Sequence, residues 1–246
     1  MTDLISLVTS IAACMSAVAA FMAVRQNYKQ RMASYRPDLV LVRTPIQAKI
    51  FETPGGIPHW TNDGNNDETN DVAIKLFSIP LVNVGLGAAR EIRVVWNFPI
   101  HEFVSSVNRL AQVSLTPAYF EYRNNLLSFK TSDNQWVVKW QGESHIDFVL
   151  PASTNQTRTG LIVPLVYISL VSYFYQLAIS GNDDEHRKTG EPRTFDIPDI
   201  PPLKCRIEYR DIGQVKYSVD WLVYTEAGVI RDGSFKGELY GSRRGT

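Results

Sequence analysis

Apolar and polar positions divide the chain into two regimes. From Leu4 to Val24, LISLVTSIAACMSAVAAFMAV, 21 residues pass without a charge. A helix of that length measures about 31 Å, close to the hydrocarbon thickness of a bilayer. No basic residue precedes the stretch, and it outruns the usual apolar core of a signal peptide. It therefore predicts an uncleaved transmembrane helix over 4–24, after a short tail at 1–3. Ala13, Ala17 and Ala20 share one face of that helix, where small side chains let a second helix approach in lipid. A homo-oligomer through the span is the corresponding expectation.

Beyond Arg36-Pro37 the period changes. Asp38-Leu39-Val40-Leu41-Val42 and Ile46–Phe51 read as strands, followed by the turn formers Thr53-Pro54-Gly55-Gly56. Further strands are predicted over Val72–Val84, Ala88–Phe98, Leu126–Phe129, Gln135–Trp140, Ser144–Leu150, Leu203–Asp211, Val215–Thr225 and Gly233–Leu239. Gly85 and Gly87 fit a hairpin turn between Val72–Val84 and Ala88–Phe98. Arg206, Glu208 and Arg210 alternate with Cys205, Ile207 and Tyr209, giving one wet face. Strands recurring between turns predict a mainly β body, an immunoglobulin-like β-sandwich over 37–246. One segment interrupts it: 161–179, LIVPLVYISLVSYFYQLAI, carries no charge. Its stripe of Ser169, Ser172 and Gln176 favours a helix packed on the sheet or lying at the membrane surface. A second span is the competing reading.

Charge changes this picture. The chain holds 25 Lys and Arg against 25 Asp and Glu. Four of the cations, Arg25, Lys29, Arg31 and Arg36, crowd the basic juxtamembrane segment 25–36, which has no acid. By the positive-inside rule this collar sets topology, with the N-terminus outside and the body cytoplasmic, and it suits contact with lipid headgroups. The remaining body is slightly acidic, which argues against a nucleic-acid partner.

Candidate chemistry is sparse. Glu143, His145 and Asp147 would share a strand face as an acid–base or metal set, but half-wet strands carry such residues for solvation. Asp63, Asn65 and Asp67 alternate as in a calcium loop, yet Glu68 and Ile74 stand where Gly and Glu are needed. Asn83-Val84-Gly85-Leu86-Gly87 resembles a phosphate loop without its third glycine, and a strand rather than a helix follows. Asp183–Lys188 reads as a solvated loop, and two separated cysteines form no ligand pair. The expectation is no catalytic residue, no metal and no cofactor.

Arg36-Pro37-Asp38-Leu39, Leu81-Val82-Asn83-Val84-Gly85-Leu86-Gly87-Ala88-Ala89, Pro164–Ala178 and Leu203–Gly213 together resemble a group of small bacterial single-pass membrane proteins. The resemblance implies an inner-membrane anchor with a cytoplasmic β-sandwich and brings no activity with it. The expected function is a membrane-anchored, non-catalytic sensor or scaffold that binds a protein partner or small ligand. The alternative is a membrane-disrupting effector of antiphage defence, by analogy of layout. A reporter fused at the C-terminus is expected to be active only on the cytoplasmic side; activity on the outer side would reverse the topology.

Overall fold

A computed structural model describes residues 2–49, 60–61, 76–113, 119–131, 135–154, 158–189, 199–231 and 234–244. The first element, α1 (Thr2–Ser34), is one unbroken helix of 33 residues. Among the described residues it is the one helix long and apolar enough to cross a membrane, by length and composition, and none of Thr9–Gln30 is buried. The basic segment is therefore no separate linker. Gln26, Lys29, Gln30 and Ala33 are good helix formers and continue the span, until Pro37 forces extended backbone.

The body is mainly β, in three antiparallel sheets. The largest runs β3 (Trp60–Thr61), β2 (Thr44–Lys49), β13 (Ser234–Arg243), β12 (Lys216–Arg231), β11 (Leu203–Arg210), β5 (Ala89–Asn97), β9 (Glu143–Val149). A second comprises β1 (Leu39–Leu41), β4 (Ser78–Asn83) and β10 (Thr159–Ile162), and a third β6 (Tyr119–Arg123), β7 (Leu126–Lys130) and β8 (Gln135–Lys139). The seven-stranded sheet curls into a half-barrel. The expected alternation on β11 holds: Leu203, Cys205, Ile207 and Tyr209 are buried, while Lys204 and Arg206 are exposed. Its hairpin to β12 also forms, with Asp211 buried in the turn and accepting the amide of Val215 at 2.8 Å.

The hollow of the half-barrel is filled by a helix. α3 (Leu165–Thr189) buries every residue from Val166 to Tyr175, so it is neither a second span nor an interfacial helix. Over Val166–Tyr175 its side chains meet protein on all sides. Tyr167 hydroxyl bonds the Thr225 hydroxyl of β12 at 2.7 Å, and Ser172 accepts the indole N–H of Trp60 at 2.8 Å. Tyr173 faces Phe129 at 4.7 Å and Phe120 at 5.1 Å in the small sheet. Tyr167, Tyr173 and Tyr175 thus anchor the core, and burial pushes the Tyr175 phenol up to about 12. A helix of this bulk holds the layers apart, which is how the half-barrel departs from two facing sheets of immunoglobulin type. Asp183–Lys188, expected as a loop, continues the α3 backbone instead.

Four elements escaped the sequence reading: the short strands β3 and β10, strand β6, and a helix after Pro99. α2 (Ile100–Val113) follows Pro99 and buries Ile100, Phe103, Val104, Val107 and Ala111, a helical period in the stretch left unassigned. The β6–β7 hairpin turns on Asn124 and Asn125, at φ 54° and 61°, the left-handed pair that a two-residue turn requires. Asn108 of α2 locks this hairpin in place by exchanging two 2.8 Å hydrogen bonds with the backbone of Phe120.

Replacing Leu170, fully buried in α3, by Ala is expected to cost about 2–5 kcal/mol in denaturant unfolding of the full chain in detergent. A lipid-facing helix would tolerate the change.

Candidate functional site

Two features of the body bear on function: the clasp that receives α1, and a groove between helices.

The clasp is built around Asn83, the last residue of β4, which is 1% exposed. Its Oδ1 accepts the amides of Asp38 (3.0 Å) and Gly85 (3.1 Å), and its Nδ2 donates to the carbonyls of Gly87 (2.6 Å) and Val149 (3.2 Å). Every hydrogen-bonding position of the amide is thereby used. The Val84 amide donates to the Asp38 carbonyl at 2.8 Å, and Tyr209 donates its hydroxyl proton to the Pro37 carbonyl at 3.2 Å. The Arg36 guanidinium lies over the Tyr217 ring at 4.9 Å, and Arg243 pairs with Asp38 at 3.0 Å. Of the collar residues, Arg25, Lys29 and Arg31 belong to α1, and Arg36 alone reaches the body among the described side chains.

Gly85 and Gly87 lie in this clasp, not in a hairpin. β4 and β5 belong to different sheets, so the loop between them is a crossover. A side chain at Gly87 would collide with the Tyr35 carbonyl, and one at Gly85 with the Arg36 carbonyl. The glycines are needed for close approach of backbone rather than for left-handed geometry. No helix follows the loop, so no phosphate-binding turn forms.

The groove lies between α2, the Phe174 side of α3 and the segment 199–202 leading into β11. It has a volume of about 880 Å³ and is lined by Phe103, Leu110, Phe174, Ile200, Pro201 and Tyr224, with Glu102, Arg109 and Asp199 at the rim. Size and lining match sites that take a largely apolar molecule with a few polar contacts. Sequence reasoning missed it because half its wall is α2.

The remaining expected sites are placed as follows. Ala13, Ala17 and Ala20 are exposed on α1. Glu143, His145 and Asp147 are exposed on β9, but Glu143 is held by Arg93 at 2.7 and 3.0 Å, which keeps its carboxyl below the usual range. His145 Nε2 lies 3.4 Å from the same Glu143 Oε1 that accepts the Arg93 Nε–H. Glu143 and His145 thus belong to a surface ion-pair network with Arg93 and Glu208, which Asp147 does not join. Among the described residues no group of His, Cys, Asp and Glu is arranged to hold a metal ion. Burial raises the Cys205 thiol, leaving it un-ionised near neutrality. Asp63, Asn65 and Asp67 lie outside the described residues.

Comparison with protein-family models, curated proteins and solved structures finds no match. The geometry therefore carries the functional argument.

Asn83→Ala leaves up to four backbone groups without partners, at about 1–3 kcal/mol for each that stays buried. Hydrogen exchange at the Asp38 and Gly85 amides is expected to accelerate first. Unchanged exchange there would remove Asn83 from the clasp.

Proposed function

We propose that the protein is a membrane-anchored binding module, a sensor or scaffold, in which α1 is the anchor and the groove beside α2 receives the ligand or partner. The groove is the single observation that carries this reading. It combines an aromatic and aliphatic wall with charges of both signs at its rim, the form of a recognition site. The clasp supports the same reading, because it fixes the groove rigidly with respect to the end of α1. In line with the resemblance to bacterial single-pass proteins, the membrane is the bacterial inner membrane and the body faces the cytoplasm.

The second reading, an antiphage effector that permeabilises the bilayer, draws on one observation. Ala13, Ala17 and Ala20 are exposed on a helix that the body leaves uncovered, free to pack against further copies.

A photo-crosslinking residue at Ser106, on the groove wall, is expected to yield a discrete adduct in native membranes that Leu110→Glu abolishes. An adduct insensitive to Leu110→Glu, or none at all, would overturn the binding reading. For the effector reading, overexpression is expected to depolarise cells, and bulky replacements at Ala13 and Ala17 to prevent it. Polarised cells would remove that reading.

A further inference from the structure

We infer that one end of the body, the end from which α1 departs, docks against the surface of an anionic bilayer. The inference rests on α1 being a membrane anchor, and concerns a surface that the anchor itself does not require.

The antiparallel order of the strands gathers several connections at this end. β4 leads into the clasp loop, β11 into its turn with β12, and β9 ends beside the start of β5. The tips of these connections are apolar and exposed: Val84 at 57%, Leu86 at 60% and Ile212 at 66%. The loop carrying Val84 and Leu86 touches Tyr35 and Arg36, and the turn carrying Ile212 joins the strands whose Tyr209 and Tyr217 hold Pro37 and Arg36. Both tips therefore flank the root of α1.

A second, independent observation is the charge beside them. Lys216, Arg210 and Arg90 are direct cross-strand neighbours on three adjacent strands, and Phe148, also exposed, completes the row on β9. Like charges directly opposite one another destabilise a sheet. Glu91 offsets one of them, at 3.2 Å from Arg210; among the described residues Arg90 and Lys216 form no ion pair. Of the other acids near this end, Asp38 is engaged with Arg243 and Asp211 within its turn, while Asp147, beside Phe148, is exposed and leaves the row of three cations with a net positive charge. An anionic partner relieves the row. Nucleic acid or a soluble anion would supply the charge but leave the Val84, Leu86 and Ile212 tips in water. A lipid surface takes both, cations among headgroups and apolar tips below them.

The stand-off decides how contact is made. Residues 25–34 carry α1 about 15 Å past Val24, whereas one headgroup layer is about 5–8 Å thick. An upright helix holds the tips above the lipid. A tilt of about 20–30°, ordinary for a single span, lowers the outer edge of a body with a radius of about 20 Å by about 7–10 Å, and the tips beside the helix axis by less. Docking is thus one-sided, through the face that carries Arg90, Arg210 and Lys216.

The test uses the full chain with Cys14→Ser, reconstituted in phosphatidylglycerol-rich vesicles and labelled with an environment-sensitive fluorophore at Leu86→Cys or Ile212→Cys. Buried Cys205 stays unlabelled. Both labels are expected to shift to the blue and to be quenched by lipids with nitroxide headgroups, while a label at Val137→Cys on β8 is not. Arg90→Glu and Lys216→Glu are expected to weaken docking at least about fivefold per cation lost. Quenching that is equal in neutral vesicles, or a blue shift without lipid quenching that grows with protein density, overturns the proposal. So does a water-like label on protein that resists alkaline extraction. Release by alkaline extraction overturns the anchor reading itself, and the docking with it.

Discussion

The structure turns on one side-chain amide. Asn83 sits where the extended segment after α1, the end of β4, the crossover to β5 and the end of β9 converge, and it satisfies backbone groups from three separate stretches of chain. An aspartate of the same shape could accept both amides but would set negative charge against the carbonyls of Gly87 and Val149. A leucine would orphan all four groups. The glycines at 85 and 87 follow from the same constraint, since the loop must lie flat against the Tyr35–Asp38 backbone for the amide to reach it. Local sequence here is dictated by a contact more than forty residues away along the chain.

The core obeys a simpler rule. An apolar helix with serine and tyrosine polar atoms is buried at lower cost where partners wait for those atoms. The half-barrel supplies Thr225 for Tyr167 and Tyr175, and Trp60 for Ser172. Aromatic rings from six different elements then close around α3: Trp60, Phe103, Phe120, Phe129, Trp136 and Phe235. This is how a stretch that reads as marginally membranous sits inside protein: its surface is enclosed, and the hydroxyls of Tyr167, Ser172 and Tyr175 are partnered, while that of Ser169 is buried without a hydrogen bond.

Most strands and the long first helix were legible in the sequence, because alternation and a charge-free run are local signals. The β11–β12 hairpin was legible down to which side chains point inward. What escaped was set by distant partners. Gly85 and Gly87 read as a hairpin because a strand, two glycines and a strand look alike whether the strands pair or part. The helical period of α2 lies in a stretch poor in capping signals, and Asn124-Asn125 is a turn signal less familiar than Asn-Gly. Segment 161–179 showed its apolar content but not its neighbours, so sequence left packed, interfacial and spanning helices open. Of the expected sites, the acid–base trio was placed correctly on one strand, but its ion pairing with Arg93 depends on β5. The groove, assembled from α2, α3 and 199–202, had no sequence signature.

The continuity of α1 from Thr2 to Ser34 has a geometric consequence. Because no flexible joint separates the apolar stretch from the clasp, the two share a single angular phase. One residue added between Arg25 and Ser34 would turn the body by about 100° around the helix axis and raise it by about 1.5 Å, whereas one added within a surface loop would do neither. The stalk therefore encodes an azimuth as well as a height. Its length, more than its composition, sets which flank of the body looks toward a neighbour.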